Sequence, residues 1–250
     1  MLRPLNRRGT IVPVLGALVL AGAAWAAAPE KAARTERGST LVVPSAHASM
    51  GRVYYALPGR DAQVTFISDA PVEHIKGTSN RVVGYLVLGE GDAVESVAVK
   101  GGEFHLPVAS IDTGIPLRDE HLQEERWLNA SAHPDIVFRV TGSRDARLTR
   151  ESEAFSTHSV TLLGSMEVKG VVREIAIPAT VTMMPESEMT RGRAPGDLLG
   201  VRAKFEVLLT DYGVVQDEAA LESSGKISNE IVLDVALFLA TVSPDEARRR

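Results

Sequence analysis

The sequence predicts an all-β protein whose strands form an antiparallel sheet, sandwich or barrel. In the second half of the chain, apolar residues alternate with polar ones, so each run has one apolar face. Turn-forming Gly, Pro, Asn and Asp residues separate most of the runs, which number about eight to ten. No long helical period follows the N-terminal region, which argues against folds that alternate strands with helices.

Residues 1–26 are predicted to be a cleavable export signal. Arg3, Arg7 and Arg8 precede an apolar stretch at 11–24, and residues 24–26 (Ala-Trp-Ala) fit the small-x-small cleavage pattern. An uncleaved anchor is the alternative, because about 18 apolar residues is the lower limit for a spanning helix. A proline and several alanines and glycines within the stretch weaken a spanning helix and favour cleavage. We therefore expect a periplasmic protein with no stable membrane span after cleavage.

The next segment, residues 27–50, is predicted to be a flexible leader that touches the domain at 41–43, because it shows no sustained period. One β domain is expected at 51–242, followed by a polar tail at 243–250. Residues 69–78 break the strand pattern and are predicted to form a turn. The strands predicted in the first half are short apolar runs between turn residues: 53–57, 64–67, 81–89, 96–100 and 104–111.

The second half alternates more cleanly. Val201, Ala203 and Phe205, for example, share one face of a predicted strand, while Arg202 and Lys204 share the other. An exposed loop is expected at 185–196 and a longer connection at 212–229, with a helical turn at 218–221. The strands predicted in this half are 136–141, 160–168, 175–181, 201–209 and 231–239.

Composition excludes several classes of function. The formal charge is −5, and removing three arginines with the signal would make it about −8, so nucleic-acid binding is not expected. The chain has no cysteine, which excludes disulfides and thiolate metal sites. Its glycines do not form a phosphate-binding loop before a helix, and no cofactor is expected. His105, His121, His133 and His158 show no paired spacing, so no metal site is predicted.

The densest charge cluster lies in residues 112–134, which we name the lid segment. Asp112, Arg118, Asp119, Glu120 and His121 could assemble acid–base chemistry, contact the headgroup of a ligand, or hold the segment in place. The last interpretation is preferred, because charges beside an apolar interior are strongly held when they are paired. No Ser/His/Asp arrangement with a nucleophile-elbow motif exists, and we expect no enzyme.

The same region resembles the central signature of the YceI-like proteins. In that family an apolar strand leads to an Asp-Thr-Gly turn, an Arg-Asp-x-His-Leu segment, a short helix, and a proline before Ile-x-Phe. The matching residues are 111–114 (Ile-Asp-Thr-Gly), 118–122 (Arg-Asp-Glu-His-Leu) and 133–138 (His-Pro-Asp-Ile-Val-Phe). Residues 164–171 and 210–214 resemble later parts of the family pattern, so the resemblance spans roughly 51–242.

The resemblance implies an extended, lipocalin-like antiparallel barrel of about eight strands with one short helical lid. It also implies an exported, non-enzymatic protein that holds a long apolar lipid, similar to a polyisoprenoid, for transport, storage or sequestration. Two departures stand out: residues 61–66 lack the His-Ser pair of the family's first hairpin, and the loop at 185–196 resembles an addition. The alternative is a solid-core barrel that acts as a structural or protein-interaction module. The oligomeric state is not predicted.

Strand alternation indicates which residues could line such a channel, although each could equally be an ordinary core side chain. The channel candidates are Phe66, Tyr85, Phe104, Leu106, Phe138, Leu162, Met166, Phe205, Leu233 and Leu237. The candidates for holding the lid or contacting the ligand headgroup are Arg118, Asp119, His121 and Trp127.

Overall fold

The structure is a computed structural model that describes residues 40–59, 61–90, 97–215 and 224–249. The predicted export signal, most of the predicted leader and the helical turn predicted at 218–221 lie outside the described residues. The described residues all fall within one compact unit.

Ten strands dominate the described chain, and its helices are short. The strands are β1 (Arg52–Ala56), β2 (Val64–Asp69), β3 (His74–Ser79), β4 (Val83–Leu88), β5 (Val99–Pro107), β6 (Asp135–Glu151), β7 (Ser156–Val168), β8 (Val171–Met184), β9 (Leu198–Leu208) and β10 (Glu230–Ala240). The described helices are α1 (Ser45–Ala48), α2 (Pro116–Gln123), α3 (Glu188–Arg191) and α4 (Pro244–Ala247), with a 3-10 turn at Val108–Ser110.

Eight of these strands form a closed antiparallel barrel in the order β1-β4-β5-β6-β7-β8-β9-β10. The ring closes where β10 pairs with β1, through Tyr55 opposite Ala240 and Ala56 opposite Leu239. All these pairings are antiparallel, as hairpin connections allow. The prediction of an all-β antiparallel barrel of about eight strands with one short lid helix is confirmed.

The remaining two strands, β2 and β3, form a hairpin at one end of the barrel. β2 pairs with the first half of β10, from Ile231 to Val235, while β1 pairs with its end. β3 pairs with β2 in register, and a single bridge from Thr78 to Asp112 joins β3 to the lid segment. We call this the hairpin end of the barrel; it is also where β6, β8 and β10 begin.

The prediction of a turn at 69–78 is wrong in its second half, where the chain forms β3. Ile75, Gly77 and Ser79 are buried, whereas His74 and Lys76 are exposed, which is the alternation of a half-buried strand. Only one of the buried residues is a large apolar one, so the apolar pattern does not reveal the strand. Its pairing with β2 supplies the backbone hydrogen bonds.

The strands predicted at 96–100 and 104–111 are parts of one strand, β5, which ends at Pro107 and is followed by the 3-10 turn at Val108–Ser110. Residue 96 lies outside the described residues. Gly101 and Gly102 lie inside β5 and do not interrupt it. A β-carbon at Gly102 would lie 2.7 Å from the carbonyl oxygen of Tyr85. The glycine therefore allows close approach of neighbouring strands rather than ending one.

The β7–β8 turn lies at Lys169 and Gly170, both with positive φ, as a two-residue hairpin requires.

The interior of the barrel is filled differently at its two ends. A close-packed cluster that includes Leu86, Leu162, Val181, Leu199 and Leu239 fills the end opposite the hairpin. At the hairpin end a second, smaller cluster surrounds Met166, Val168 and Tyr212. A third cluster, of Leu41, Tyr85 and Val87, lies apart from both. Unfilled space is therefore expected at the hairpin end.

Candidate functional site

An apolar cavity of about 380 Å³ opens at the hairpin end of the barrel. Its volume lies in the lower part of the range of about 300–1,000 Å³ that is usual for ligand pockets. The strands contribute Val64, Phe66, Ile75, Leu106, Ile136, Met166, Val168, Val207, Ile231 and Leu233. The lid segment and the strand connections contribute Ile115, Leu117, Leu122, Trp127, Leu128, Leu209, Tyr212, Val214 and Ile227, and Ile111 lines it just before the lid segment. The site is thus apolar on nearly all sides.

The β2–β3 hairpin shapes one wall through a glycine. Phe66 lies directly opposite Gly77 in the strand register. A β-carbon at Gly77 would lie 2.2 Å from the Phe66 ring, so the ring packs against the bare backbone. Any larger residue at position 77 would have to displace Phe66. Both residues line the cavity.

The lid segment is tied to β3 and to itself by hydrogen bonds. The Thr78 and Asp112 backbones exchange two hydrogen bonds of 2.8 and 2.9 Å. The Asp119 carboxylate accepts from the Thr113 amide at 2.9 Å and from the Thr113 hydroxyl at 2.6 Å. These two hydrogen bonds of Asp119 join α2 to the turn before it. The Lys169 ammonium also donates to the carbonyl of Arg126 at 3.4 Å, which connects the lid to the β7–β8 turn.

The few charged groups of the cavity lie together at its mouth. The Arg118 guanidinium donates to the Glu73 carboxylate at 2.5 Å, and this pair joins α2 to the start of β3. His121 and Lys226 also line the cavity, and the His121 Nε2 lies 4.0 Å from the Glu124 carboxylate. An apolar chain with a polar end would therefore meet polar partners only at the mouth.

Four of the ten channel candidates line this cavity: Phe66, Leu106, Met166 and Leu233. Phe104, Phe138 and Phe205 pack against the interior cluster without lining the cavity. They are half-buried although they face inward, so protein atoms do not fully enclose them. Leu162 and Leu237 are buried members of the close-packed cluster at the opposite end.

Tyr85 lies outside the barrel interior, contrary to its assignment as a channel residue. Its neighbours Leu86 and Leu88 belong to the interior cluster, whereas Tyr85 packs with Leu41 and Val87 in a separate cluster. Its hydroxyl lies 2.7 Å from the Nδ1 of His47. Burial and the nearby Glu103 carboxylate raise the pKa of this tyrosine. Both faces of β4 are buried, because residues 40–50 cover its outer face. The alternation of apolar residues therefore could not show which face of β4 points into the barrel.

Three of the four lid candidates, Arg118, His121 and Trp127, line the cavity. Asp119 does not line it and instead holds Thr113, as described above. Arg118 instead pairs with Glu73, and the Nε2 of His121 lies 4.0 Å from the Glu124 carboxylate. Sequence reasoning missed Ile75, Leu117 and Lys226, which lie on β3, in the lid helix and in the connection before β10. The burial of Ile75 depends on the β3 pairing, which the apolar pattern does not show.

A separate polar cluster lies on the outer side of β5. His105 is buried, and its Nε2 lies 2.6 Å from Glu103 while its Nδ1 lies 3.3 Å from Asp135. Burial lowers the pKa of His105, but the hydrogen bonds to Asp135 and Glu103 outweigh it, and the net pKa is raised. The hydrogen bond from His105 chiefly lowers the pKa of Glu103. In the described part of the chain, no group of three or more His, Cys, Asp or Glu side chains has an arrangement that could hold a metal ion.

His158 shares the interior face of β7 with Val160 and Leu162 and is buried. Within the described chain, its Nδ1 has no hydrogen-bond partner. Burial lowers the pKa of His158, and the charge of Glu151 only partly opposes this. The side chain is therefore held neutral inside the barrel, in a position where a charged imidazole would be poorly solvated.

Comparison with known proteins places these features in a family. Residues 55–239 match the family model of the YceI-like domain. A UPF0312 protein of Azotobacter vinelandii is 28% identical over 117 residues, or 45% of this chain and 52% of that protein. The chain thus matches only about half the length of this curated relative. Among the described residues, no helix is long and apolar enough to cross a membrane.

One solved structure shows a similar fold, and a second gives a weaker match. A polyisoprenoid binding domain from Saccharophagus degradans is 12% identical, with a TM-score of 0.51, and the match covers 77% of this chain and 99% of that one. BcnA from Burkholderia cenocepacia is 15% identical, with a TM-score of 0.49, over 71% of this chain and 95% of that one. At these identities the likeness concerns the fold alone. The family match covers most of the chain and coincides with the barrel, so the protein belongs to the YceI-like domain family.

Proposed function

We propose that the protein is a non-enzymatic binding protein that holds the apolar chain of a lipid inside its barrel. The observation that carries the proposal is the apolar cavity at the hairpin end, in a barrel whose opposite end is filled by a packed apolar cluster. A ligand that buries a hydrocarbon chain there gains about 0.8 kcal/mol for each buried CH₂ group. The solved relative described as a polyisoprenoid binding domain supports a polyisoprenoid-like chain as the ligand.

The proposed orientation places the polar end of the lipid at the cavity mouth. Arg118, which is paired with Glu73, and His121 lie there. Lys226 also lies there and has no ion-pair partner among the described residues, so it is available to a headgroup. Trp127 lines the wall beside them. The apolar chain then runs inward past Met166 and Leu233. A chain longer than the cavity would contact the half-buried Phe138 and Phe205 next.

The proposed location is the periplasm, after removal of the N-terminal signal. Support comes from the charged start, apolar stretch and cleavage pattern of residues 1–26. N-terminal sequencing of the protein recovered from a periplasmic fraction would test this. A chain that retains residue 1 and remains in the cytoplasm would contradict it.

Solvent extraction of the purified protein, followed by mass spectrometry, tests the ligand directly. We expect a lipid with a long apolar chain from the wild type and from Val232→Trp. The variant Leu233→Trp should lose it, because the indole would occupy the cavity. Val232 is the matched control, since it is the next residue on β10 and belongs to neither interior cluster.

The alternative is a barrel that serves only as a structural or interaction module. Its supporting observation is the close-packed cluster that fills the end opposite the hairpin. If neither wild type nor Val232→Trp yields lipid, and added isoprenoid lipids leave the melting temperature unchanged, the binding proposal fails. Equal lipid recovery from Leu233→Trp would place the ligand outside this cavity.

A further inference from the structure

The barrel wall is interrupted between β8 and β9 in its hairpin half. The two strands pair from Ala179 opposite Ala203 to the end of β8, and their register does not continue in the other direction. Residues 172–178 of β8 and 204–208 of β9, all described, therefore have no ladder between them. β8 stays paired with β7, and β9 with β10, over these lengths. We call this unpaired stretch the β8–β9 window.

A proline explains where the pairing stops. The β7–β8 turn has two residues, so the residues that close it form a hydrogen-bonded pair, and the even-numbered residues of β8 direct their N–H groups toward β9. Pro178 belongs to this set and lies next to Ala179, where it would meet Lys204. Proline has no N–H, so the first bond that would extend the ladder is missing.

The window is bounded at both ends. The Ala179–Ala203 pairing closes one end. At the other, the turn after β9 reaches back to β8: the Lys169 ammonium donates to the Gly213 carbonyl at 3.5 Å, and a β-carbon at Gly213 would lie 3.9 Å from the Val171 side chain. Outward-facing side chains on the two edges are exposed, including Val172 at 49% and Leu208 at 38%. The described chain therefore does not cover the window from outside.

Apolar side chains fill the window from inside. Ile175 on β8 and Phe205 on β9 pack on the cluster around Met166 and Tyr212, and both are only half-buried. Val207, on the β9 edge, lines the cavity, whereas none of the residues of β8, which is described throughout, does so. The window is therefore continuous with the cavity on its β9 side.

The charges at the edges do not select an ionic partner, because the two signs occur there in equal numbers. They are Arg173 and Glu174 on β8, Lys204 and Glu206 on β9, and Lys169 and Asp211 in the turns that meet at the end of the window. Charged residues and proline on a strand edge oppose the addition of another strand. An apolar chain, which needs no hydrogen-bond partner, fits the apolar inner side of the window better than a peptide does.

We propose that the β8–β9 window holds the part of the lipid's apolar chain that exceeds the cavity. The inference rests on the proposed lipid-binding function and adds that the bound chain is longer than the cavity. The cavity, at about 380 Å³, is small for a ligand pocket, and Ile175 and Phe205 continue its apolar surface. These side chains can move aside without breaking a ladder, because the two edges are not paired.

The test closes the window from outside. Because the chain has no cysteine, Ala176→Cys and Glu206→Cys can be introduced together and bridged with a short bifunctional thiol reagent. Both residues are exposed, and they would be register partners if the ladder continued. Binding is measured through the fluorescence of Trp127, which lines the cavity and is the only tryptophan after residue 26.

Two isoprenoid alcohols of different length serve as probes, geraniol and the longer geranylgeraniol. We expect the bridge to weaken the binding of geranylgeraniol by about tenfold or more, because several carbon units would lose their apolar contacts. The binding of geraniol should be unchanged, because a short chain fits within the cavity. Each protein without its bridge is the reference, which separates the effect of closure from that of the substitutions.

The matched control is Thr180→Cys with Arg202→Cys, bridged by the same reagent. These two residues are exposed register partners in the paired part of the same strands. We expect a bridge there to change the affinity for neither alcohol.

Two results would overturn the proposal. They are unchanged binding of geranylgeraniol after the 176–206 bridge, and equal weakening of both alcohols by it. In either case, binding of both alcohols to the unbridged protein leaves the proposed function standing. If neither alcohol binds the unbridged protein and solvent extraction recovers no lipid, the proposed function fails, and the role of the window fails with it.

Discussion

At the scale of single residues, a buried histidine with two carboxylate partners lies outside the cavity. His105 is buried between the carboxylates of Glu103 and Asp135, at 2.6 and 3.3 Å. Arg139 connects the same cluster to Glu167 at 2.9 Å. A buried charge that loses one partner leaves the other uncompensated, which is costly. The role inferred for His105 is therefore to stabilise the wall formed by β5 and β6.

We predict that His105→Gln lowers the free energy of unfolding, and more so at acidic than at alkaline pH. The pKa of His105 is raised above its ordinary 6.5, so charging it stabilises the folded state. This contribution is complete below the unfolded pKa and disappears as pH rises through the raised folded pKa. We expect a loss of about 3 kcal/mol near pH 6. Urea unfolding of both proteins across the pH range measures it.

His74→Gln is the control, because His74 is exposed and its contact with Asp69 at 3.1 Å is solvated. Its cost should be within about 0.5 kcal/mol at every pH, as for most surface changes. A cost of His105→Gln that grows toward high pH would contradict the assignment of a charged imidazole between the two carboxylates.

At the scale of elements, the lid segment depends on a few anchors rather than on its own helix. α2 has eight residues, none of them buried, and isolated helices of this length are marginal. Its position is set by Asp119 on Thr113, by Arg118 on Glu73 and by the bridge to β3. The lid should therefore open locally at lower free energy than the barrel unfolds.

We predict that Asp119→Ala speeds hydrogen exchange at the Thr113 amide and lowers stability by about 1 kcal/mol, the usual net worth of such hydrogen bonds. The neighbouring Glu120→Ala is the matched control, since Glu120 is exposed and no hydrogen bond of its side chain occurs among the described residues. Exchange measured by NMR or mass spectrometry would report both variants. Equal exchange at Thr113 in the two would show that Asp119 does not anchor the lid.

At the scale of the whole molecule, the barrel is closed unevenly. β9 and β10 pair along their full length, from Glu230 opposite Leu208 to Ala240 opposite Leu198. Among the described residues, β1 pairs with β10 only through Tyr55 and Ala56, with one further hydrogen bond from Leu57 to Phe238 at 2.8 Å. The ring therefore has a weak seam between these two strands.

We predict that amides at this seam, such as Leu57, exchange with solvent before those in the middle of β7 and β8. The physical reason is that few hydrogen bonds and contacts must break to separate β1 from β10. Native-state hydrogen exchange with mass spectrometry measures the order. Simultaneous exchange of the seam and of β7 would indicate that the barrel opens only by global unfolding.

Much of this architecture was predictable from the sequence, because alternation and turn residues act locally. The strand pattern of residues 160–239 needs only a two-residue period and one buried face. β3 was not predictable in the same way, since its burial relies on Gly77 and Ser79 against β2. Tyr85 was misplaced because β4 is buried on both faces, one by the barrel and one by residues 40–50.

By itself, the sequence determined the all-β class, the approximate strand number and the family signature of the lid segment. Only the tertiary structure decided which inward-facing residues border a cavity and which are core. Leu233 and Leu237 lie on the same face of β10 and are equivalent by alternation, yet one lines the cavity and the other is packed tightly. The reason is that a strand's period fixes the face of a side chain, whereas cavities depend on how all the strands and the lid fill the shared interior.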